Sequence, residues 1–215
     1  MELIHGKQTS RIDPATFAAR LVGYREVTID IGTGDGLYVA YLAKTHPARL
    51  VIGIDACREQ LRTISRRAPQ NVLFVVANAL ALPDELAGRA SALAINFPWG
   101  SLLVGLLNGD PALLDGLYRI AQPGATLELR LNAGACIEAG TSLLEGGALV
   151  RQALCDRGFR AGSLQQMDAD ALRACPTTWS RRLAFGRDPH ALYLRASVPI
   201  SRQLHSAQPP DQPPV

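Results

Sequence analysis

Apolar and polar positions alternate in two periods along most of the chain. "EVTIDIG" (26–32) is a β-rich apolar run, and "LYVAYLAKTH" (37–46) has helical spacing. "LVIGID" (50–55), a helix through "REQLRTISRRA" (58–68) and the strand "NVLFVVA" (71–77) repeat the alternation. "ASALAINF" (90–97) reads as a strand and "DPALLDGLYRIA" (110–121) as a helix, with Asp110 as N-cap and Pro111 in the first turn. A strand "ATLELRLNA" (125–133) and a helix "LLEGGALVRQALCDRG" (143–158) stopping on Gly158 follow. "FRAGSLQQ" (159–166) and "ALYLRASVP" (191–199) are the last two strands, suited to an antiparallel edge hairpin.

That order predicts a doubly wound α/β domain built on a mostly parallel sheet. "ELIHGKQTSRI" predicts a small hairpin around Gly6, within a hairpin-and-helix extension over residues 1–24. The expected domain runs over residues 1–204. The tail "HSAQPPDQPPV" (205–215) has four prolines and no apolar pattern, so it is expected to be disordered.

Composition adds less. The 215 residues, 47% hydrophobic and 19% charged, are those of one ordinary globular domain. A net charge of +3 and a pI near 8.8 are compatible with nucleic acid but point to it only weakly. The positive charges beyond residue 150 are all arginines, the side chain suited to bidentate phosphate contacts. Four cysteines are widely spaced, with no C-x-x-C pair, so neither a zinc set nor any other metal site is expected, and a reducing cytoplasm is the simplest location. The first residues have no apolar h-region, and no run approaches ~20 apolar residues, so neither a signal peptide nor a membrane partner is expected.

"DIGTGDG" (30–36) is the strongest local motif. A strand runs directly into Gly32, Thr33, Gly34 and Gly36, and a helix opens just beyond. Glycines there permit a tight turn and close approach of backbone to ligand. The spacing is not the G-x-G-x-x-G of dinucleotide binding, which counts against a nicotinamide dehydrogenase. Asp30 places negative charge beside the ligand, which disfavours a pyrophosphate and favours an ammonium or sulfonium. Asp55 ends the next strand, where a carboxylate accepts hydrogen bonds from ribose hydroxyls. The pattern resembles class I S-adenosylmethionine-dependent methyltransferases, which implies a Rossmann-like, seven-stranded sheet with an antiparallel final strand. It also implies S-adenosyl-L-methionine as cofactor, with Asn78 and Ala79 beside its adenine.

In such folds the end of the fourth strand faces the methyl group, and "NFPW" occupies that place here. It is similar to the Asn/Asp-Pro-Pro-aromatic motif of base N-methyltransferases, with Asn96, Pro98 and Trp99 matching and Phe97 departing. The second tryptophan lies in "TTWSRRLAFGR" (177–187), a short helix capped by Thr177 and stopped by Gly186. Trp179, Arg182 and Leu183 share one of its faces while Arg181 points elsewhere. An aromatic with arginines around it suits base stacking and phosphate clamping.

"DIGTGDG", "GID", "FPWGSLL" and "WSRRLAFGR" together resemble the aminoglycoside-resistance 16S ribosomal RNA methyltransferases that modify N1 of adenine 1408 in the decoding site. The resemblance runs in order to about residue 198. It implies that Trp99 and Trp179 sandwich a flipped adenine, with Ser101 beside the pocket. It also implies that Arg182, Arg187 and Arg181 hold the RNA backbone, with Arg66 and Arg67 as further RNA contacts and Glu138 supporting the flipped base. The partner is then 16S rRNA in the assembled 30S subunit, and the enzyme a monomer. One departure is Leu80, where the family often has an acidic residue near the cofactor. Adenine N1 carries an in-plane lone pair and no proton to lose, so no general base is needed. His5, His46, His190 and His205 are read as structural or surface residues. Two alternatives stand beside this reading. One is a transfer-RNA guanine-N7 methyltransferase, which continues Asn-Phe-Pro with Asp-Pro-Trp where this chain has Gly100-Ser101-Leu102. The other is a cofactor-binding module without catalysis.

Overall fold

A computed structural model describes residues 1–185 and 190–200. The chain opens on a hairpin, β1 (Glu2–His5) and β2 (Gln8–Arg11), turning at Gly6 with φ +59°. Helix α1 (Pro14–Leu21) follows, its N-terminus capped by Asp13. The alternating body is β3 (Glu26–Ile31), α2 (Leu37–Thr45), β4 (Arg49–Asp55), α3 (Arg58–Ser65), β5 (Val72–Val76) and β6 (Ala90–Asn96). It continues with α4 (Gly100–Leu107), α5 (Pro111–Ile120), β7 (Ala121–Asn132), α6 (Ala133–Glu138) and α7 (Leu143–Asp156). Short strands β8 (Arg160–Ala161) and β9 (Gln165–Met167), helices α8 (Ala169–Ala174) and α9 (Thr178–Ala184), and β10 (Ala191–Ser197) complete it.

The sheet order is β2-β1-β5-β4-β3-β6-β7-β10-β8, with β9 also on β10. Pairs among β3 to β7 are parallel, and β10 is antiparallel to β7. Among the described residues the sheet has ten strands where seven are expected, for two reasons. The hairpin joins the sheet through Leu3 against Val75, and the 159–166 strand is divided into β8 and β9. The expected antiparallel edge hairpin is present: β8 and β9 pair antiparallel with β10, which joins them to β7.

Helices pack on the sheet, and the core sits on its central strands, where Ile29, Ile31, Leu50, Ile52 and Ile95 are wholly inaccessible. Asp110 caps α5 through the Ala112 and Leu113 N–H groups, with Pro111 behind it as the sequence predicts. Three helices were not legible. In α4, Gly100 and Gly105 disguise the helical pattern, and Gly105 is there for packing, since a Cβ would meet Leu113 at 3.1 Å. The others, α6 and α8, are only six residues long.

The order reverses at β3, which leads to β4 and β5 on one side and to β6 and β7 on the other. Ligands of open α/β sheets bind outside the carboxyl ends of the strands at such a switch point. Here it lies between Asp30 and Asn96. Among the described residues no helix is long and apolar enough to cross a membrane, and no group of three or more His, Cys, Asp or Glu could hold a metal ion. Arg187, Gly186, Arg202, His205 and the proline-rich tail lie outside the described residues.

Candidate active site

A cleft of about 550 Å³ opens at the switch point. It gathers Asp30, Gly32, Thr33 and Gly34 from the first loop, Asp55 from the end of β4, Asn78 and Ala79 after β5, and Asn96, Pro98, Trp99 and Ser101 around the end of β6. Trp179 and Arg182 reach it from α9. Most residues singled out in the sequence therefore meet in one place, although they span 150 positions of the chain. Gly36 stands behind the loop, where a Cβ would meet Ile64 and Phe74 at 2.8 Å.

The loop backbone explains its glycines. Gly32, Gly34 and Gly36 all have φ between +57° and +71°, a region costly for other residues. The Gly32 and Thr33 N–H groups donate to the Ile54 carbonyl, and the Gly34 N–H donates to Asp55 Oδ2 at 2.8 Å. Asp55 Oδ1 accepts from the Cys57 N–H, also at 2.8 Å. The carboxylate thus ties the loop to β4 and still faces the cleft. A ribose would bind to lone pairs that these two bonds leave open.

Asp30 is almost wholly buried and accepts from Asn96 Nδ2 at 3.0 Å. Burial pushes its carboxyl up to about 7, against the lowering effects of the Thr33 hydroxyl, the Asn96 hydrogen bond and the nearby Arg130 charge. Asn96 Oδ1 in turn accepts from Arg130 Nη1 at 2.8 Å, and Arg130 Nη2 donates to Glu128 at 2.9 Å. Nothing in the sequence singled out Arg130 and Glu128. The one available signal was a pair of charges at i and i+2 inside a long apolar strand.

Phe97 follows at φ +50°, the sole non-glycine residue with positive φ among those described. Its N–H donates to the Arg130 carbonyl at 2.8 Å. Proline satisfies neither condition, because its φ is fixed near −65° and it has no N–H. That is the physical reason for the departure from Pro-Pro. The Phe97 ring is buried with Met167, Leu172, Cys175 and Ala191, against Leu183 and Ala184 of α9. One residue therefore turns Trp99 toward the cleft and anchors the helix that carries Trp179.

The tryptophan rings stack directly on one another, with centroids 5.0 Å apart and planes 29° from parallel. Trp99 is half-buried against the main core, and its Nε1 has no hydrogen-bond partner among the described residues. Trp179 is 38% exposed, and the Arg182 guanidinium lies 5.2 Å from its ring centroid. Across the mouth, Thr178 Oγ1 donates to Asp35 of the glycine loop, a tie between residues far apart in sequence. Thr177 caps α9 through the Ser180 N–H at 2.9 Å.

Arg181 is exposed on α9 and does not line the cleft. Arg66 and Arg67 are exposed after α3 and do not line the cleft, and Arg66 lies beside the Gly6 turn of the hairpin. Glu138 is exposed at the end of α6, whose Gly134 stands against the Trp99 ring. Leu80 does not line the cleft; it packs on the core near Gly105 of α4.

Known proteins agree with this geometry. The family model for NpmA, 16S rRNA (adenine(1408)-N(1))-methyltransferase, matches residues 2–198. The 16S rRNA (adenine(1408)-N(1))-methyltransferase of Streptoalloteichus hindustanus is 31% identical over 206 residues, covering 87% of this chain and 94% of that one. Among solved structures, the 16S rRNA methyltransferase KamB superposes with a TM-score of 0.83 at 28% identity, over 93% of this chain and 100% of that one. The 16S rRNA (adenine(1408)-N(1))-methyltransferase of Catenulisporales acidiphilia, solved with cosubstrate SAM, gives 0.81 at 25% identity, over 94% and 98%. Fold, site and similarity converge: the chain belongs to the 16S rRNA (adenine(1408)-N(1))-methyltransferase family.

Proposed function

We propose that this chain transfers a methyl group from S-adenosylmethionine to N1 of adenine 1408 of 16S rRNA within the assembled 30S subunit, acting as a monomer and conferring aminoglycoside resistance. The observation that carries the proposal is the meeting of two tryptophans, one just beyond β6 and one on α9, at the mouth of a cleft floored by Asp30 and Asp55. Gly100 and Ser101 open α4 directly after Trp99, so the Asp-Pro-Trp continuation of the guanine-N7 enzymes has no counterpart. Tritiated-methyl transfer to isolated 30S subunits and to transfer RNA tests the reading. Label is expected on the 30S subunit, and label on transfer RNA overturns it.

S-adenosylmethionine supplies a methyl group on a sulfonium, which a neutral nitrogen lone pair can displace directly. The chain's residues have to bind, orient and exclude water. Asp30 faces the charged amino-acid end, Asp55 accepts from the ribose hydroxyls, and Asn78 with Ala79 borders the adenine. Pro98 and Ser101 wall the space in which N1 is held in line with the methyl group, the positional contribution being the main source of rate. Trp99 and Trp179 take the flipped base between their faces, which offsets a few kcal/mol of unstacking. Two stacking intervals of ~3.4 Å need about 7 Å between the rings, so the 5.0 Å pair has to open by about 2 Å to admit it. Arg182 grips the backbone outside, with Arg181, Arg187, Arg66 and Arg67 extending the footprint and Glu138 supporting the displaced base.

Asp55→Ala should weaken calorimetric cofactor binding by about tenfold, or about 1.4 kcal/mol. The loss includes the acceptor that holds Gly34 in the loop. Tight binding of NAD instead would contradict the cofactor assignment. Arg182→Ala should lower methylation of 30S subunits with cofactor affinity nearly unchanged, and should flatten the salt dependence of 30S binding by roughly one unit of slope. Unaltered slope and activity would make Arg182 a solvated surface residue.

A further inference from the structure

Beneath the cleft, side chains of three adjacent strands are joined end to end. Glu128 Oε2 accepts from Arg130 Nη2, Arg130 Nη1 donates to Asn96 Oδ1, and Asn96 Nδ2 donates to Asp30 Oδ1, over 2.9, 2.8 and 3.0 Å. Arg130 and Asn96 are direct cross-strand neighbours in the β6–β7 register. The Arg130 side chain is only 14% exposed, and its guanidinium lies 5.2 Å from the ring centroid of its β10 neighbour Tyr193. Asn96 and Asp30 line the cleft, whereas Arg130 does not.

An asparagine amide has the same shape in two orientations, and its partners decide between them. A guanidinium can only donate, so the amide oxygen must face Arg130. The amide nitrogen is then aimed at Asp30 as a donor. Without Arg130 the amide is free to turn, and its oxygen facing the carboxylate would favour a protonated Asp30. The loss of the guanidinium charge acts in the same direction. We propose that Arg130 is a positioning residue for methyl transfer, fixing the Asn96 amide so that Asp30 is held as an open acceptor for the charged end of the cofactor. This inference rests on the assignment of Asp30 to the cofactor in the proposed function.

Asp30 is faced by Asp55 of β4, Tyr38 of α2, Arg130 and Glu128 of β7, and Cys175 after α8. With Asp30 already near 7, removing Arg130 should raise it further, since a neighbouring opposite charge is worth about one unit or more. The cofactor's own amino group titrates nearby, so the informative quantity is the ratio of wild-type to variant affinity, in which that titration cancels.

The test is calorimetric titration of the full chain with S-adenosylmethionine at several pH values, on wild type, Arg130→Met, Arg130→Gln, Arg130→Lys and Glu128→Gln. For Arg130→Met the affinity ratio should be about tenfold at pH 6 and fall to about twofold at pH 8, as one unit of displacement dictates. Arg130→Lys keeps the charge and a donor, and should recover most of the affinity at both pH values. Glu128→Gln keeps an acceptor for Arg130 and removes a like charge from around Asp30, so its ratio should be near one or below. For Arg130→Met, a ratio near one throughout, or the same loss at every pH, would overturn the proposal, the second result being that of a merely structural residue. If Arg130→Met does not melt cooperatively, the Arg130→Gln ratio decides, and a flat one overturns it. Failure of the wild type itself to bind would instead refute the cofactor assignment.

Discussion

Alanine at Trp99 or at Trp179 should cut methyl transfer to 30S subunits by between about fivefold and about 150-fold, corresponding to the ~1–3 kcal/mol of one base-stacking face. The two losses should not add, because removing one wall spoils the position the other defines. Phe or Tyr at either position should recover part of the activity, since any aromatic face can stack. Trp179 is 38% exposed, so Trp179→Ala should melt like the wild type and keep its cofactor affinity. Trp99 packs on the core, and its alanine variant should lose some stability. Thermal melts and cofactor titrations come first. If both variants lose the ~3–5 kcal/mol of a core tryptophan and cofactor binding with it, the clasp is only packing.

Phe97→Ala should lose ~3–5 kcal/mol of stability in denaturant melts, the usual cost of removing a buried phenylalanine. Phe97→Gly should be less harmful than alanine by about 1 kcal/mol, because glycine accepts φ +50° without strain. Phe97→Pro should be worse than either, since it forbids that φ and removes the N–H bonded to the Arg130 carbonyl. Methyl transfer should fall in the same order, because the ring also anchors α9 and with it Trp179. A stable Phe97→Pro variant would refute the reason given for the departure from Pro-Pro.

The parts of the site legible in the sequence were those carried on strand ends. "DIGTGDG", Asp55, Asn78 and "NFPW" each follow an apolar run, and in this architecture the carboxyl ends of such runs converge on one crevice. The hidden parts depend on contacts between distant residues. Glu128 and Arg130 look like the polar half of an alternating strand, and only the sheet order brings them to Asn96. The tie from Thr178 to Asp35 joins the last helix to the first loop, with no local signal in either. The final strands and their antiparallel pairing at one edge were legible, but not their order in the sheet. Nothing in "FRAGSLQQ" says that β10 will enter beside β7, and Gly162, whose N–H donates to the Arg195 carbonyl, lies between the two pieces. Phe97 was visible as a departure, and its backbone angle supplied the reason.

The most direct measurement is primer extension on 16S rRNA from cells expressing the chain, alongside cells expressing Trp179→Ala. A methyl group on N1 blocks the Watson–Crick edge, so reverse transcription should halt at adenine 1408 with the wild type and read through far more with the variant. Unimpeded extension past that adenine with the wild type would contradict the account.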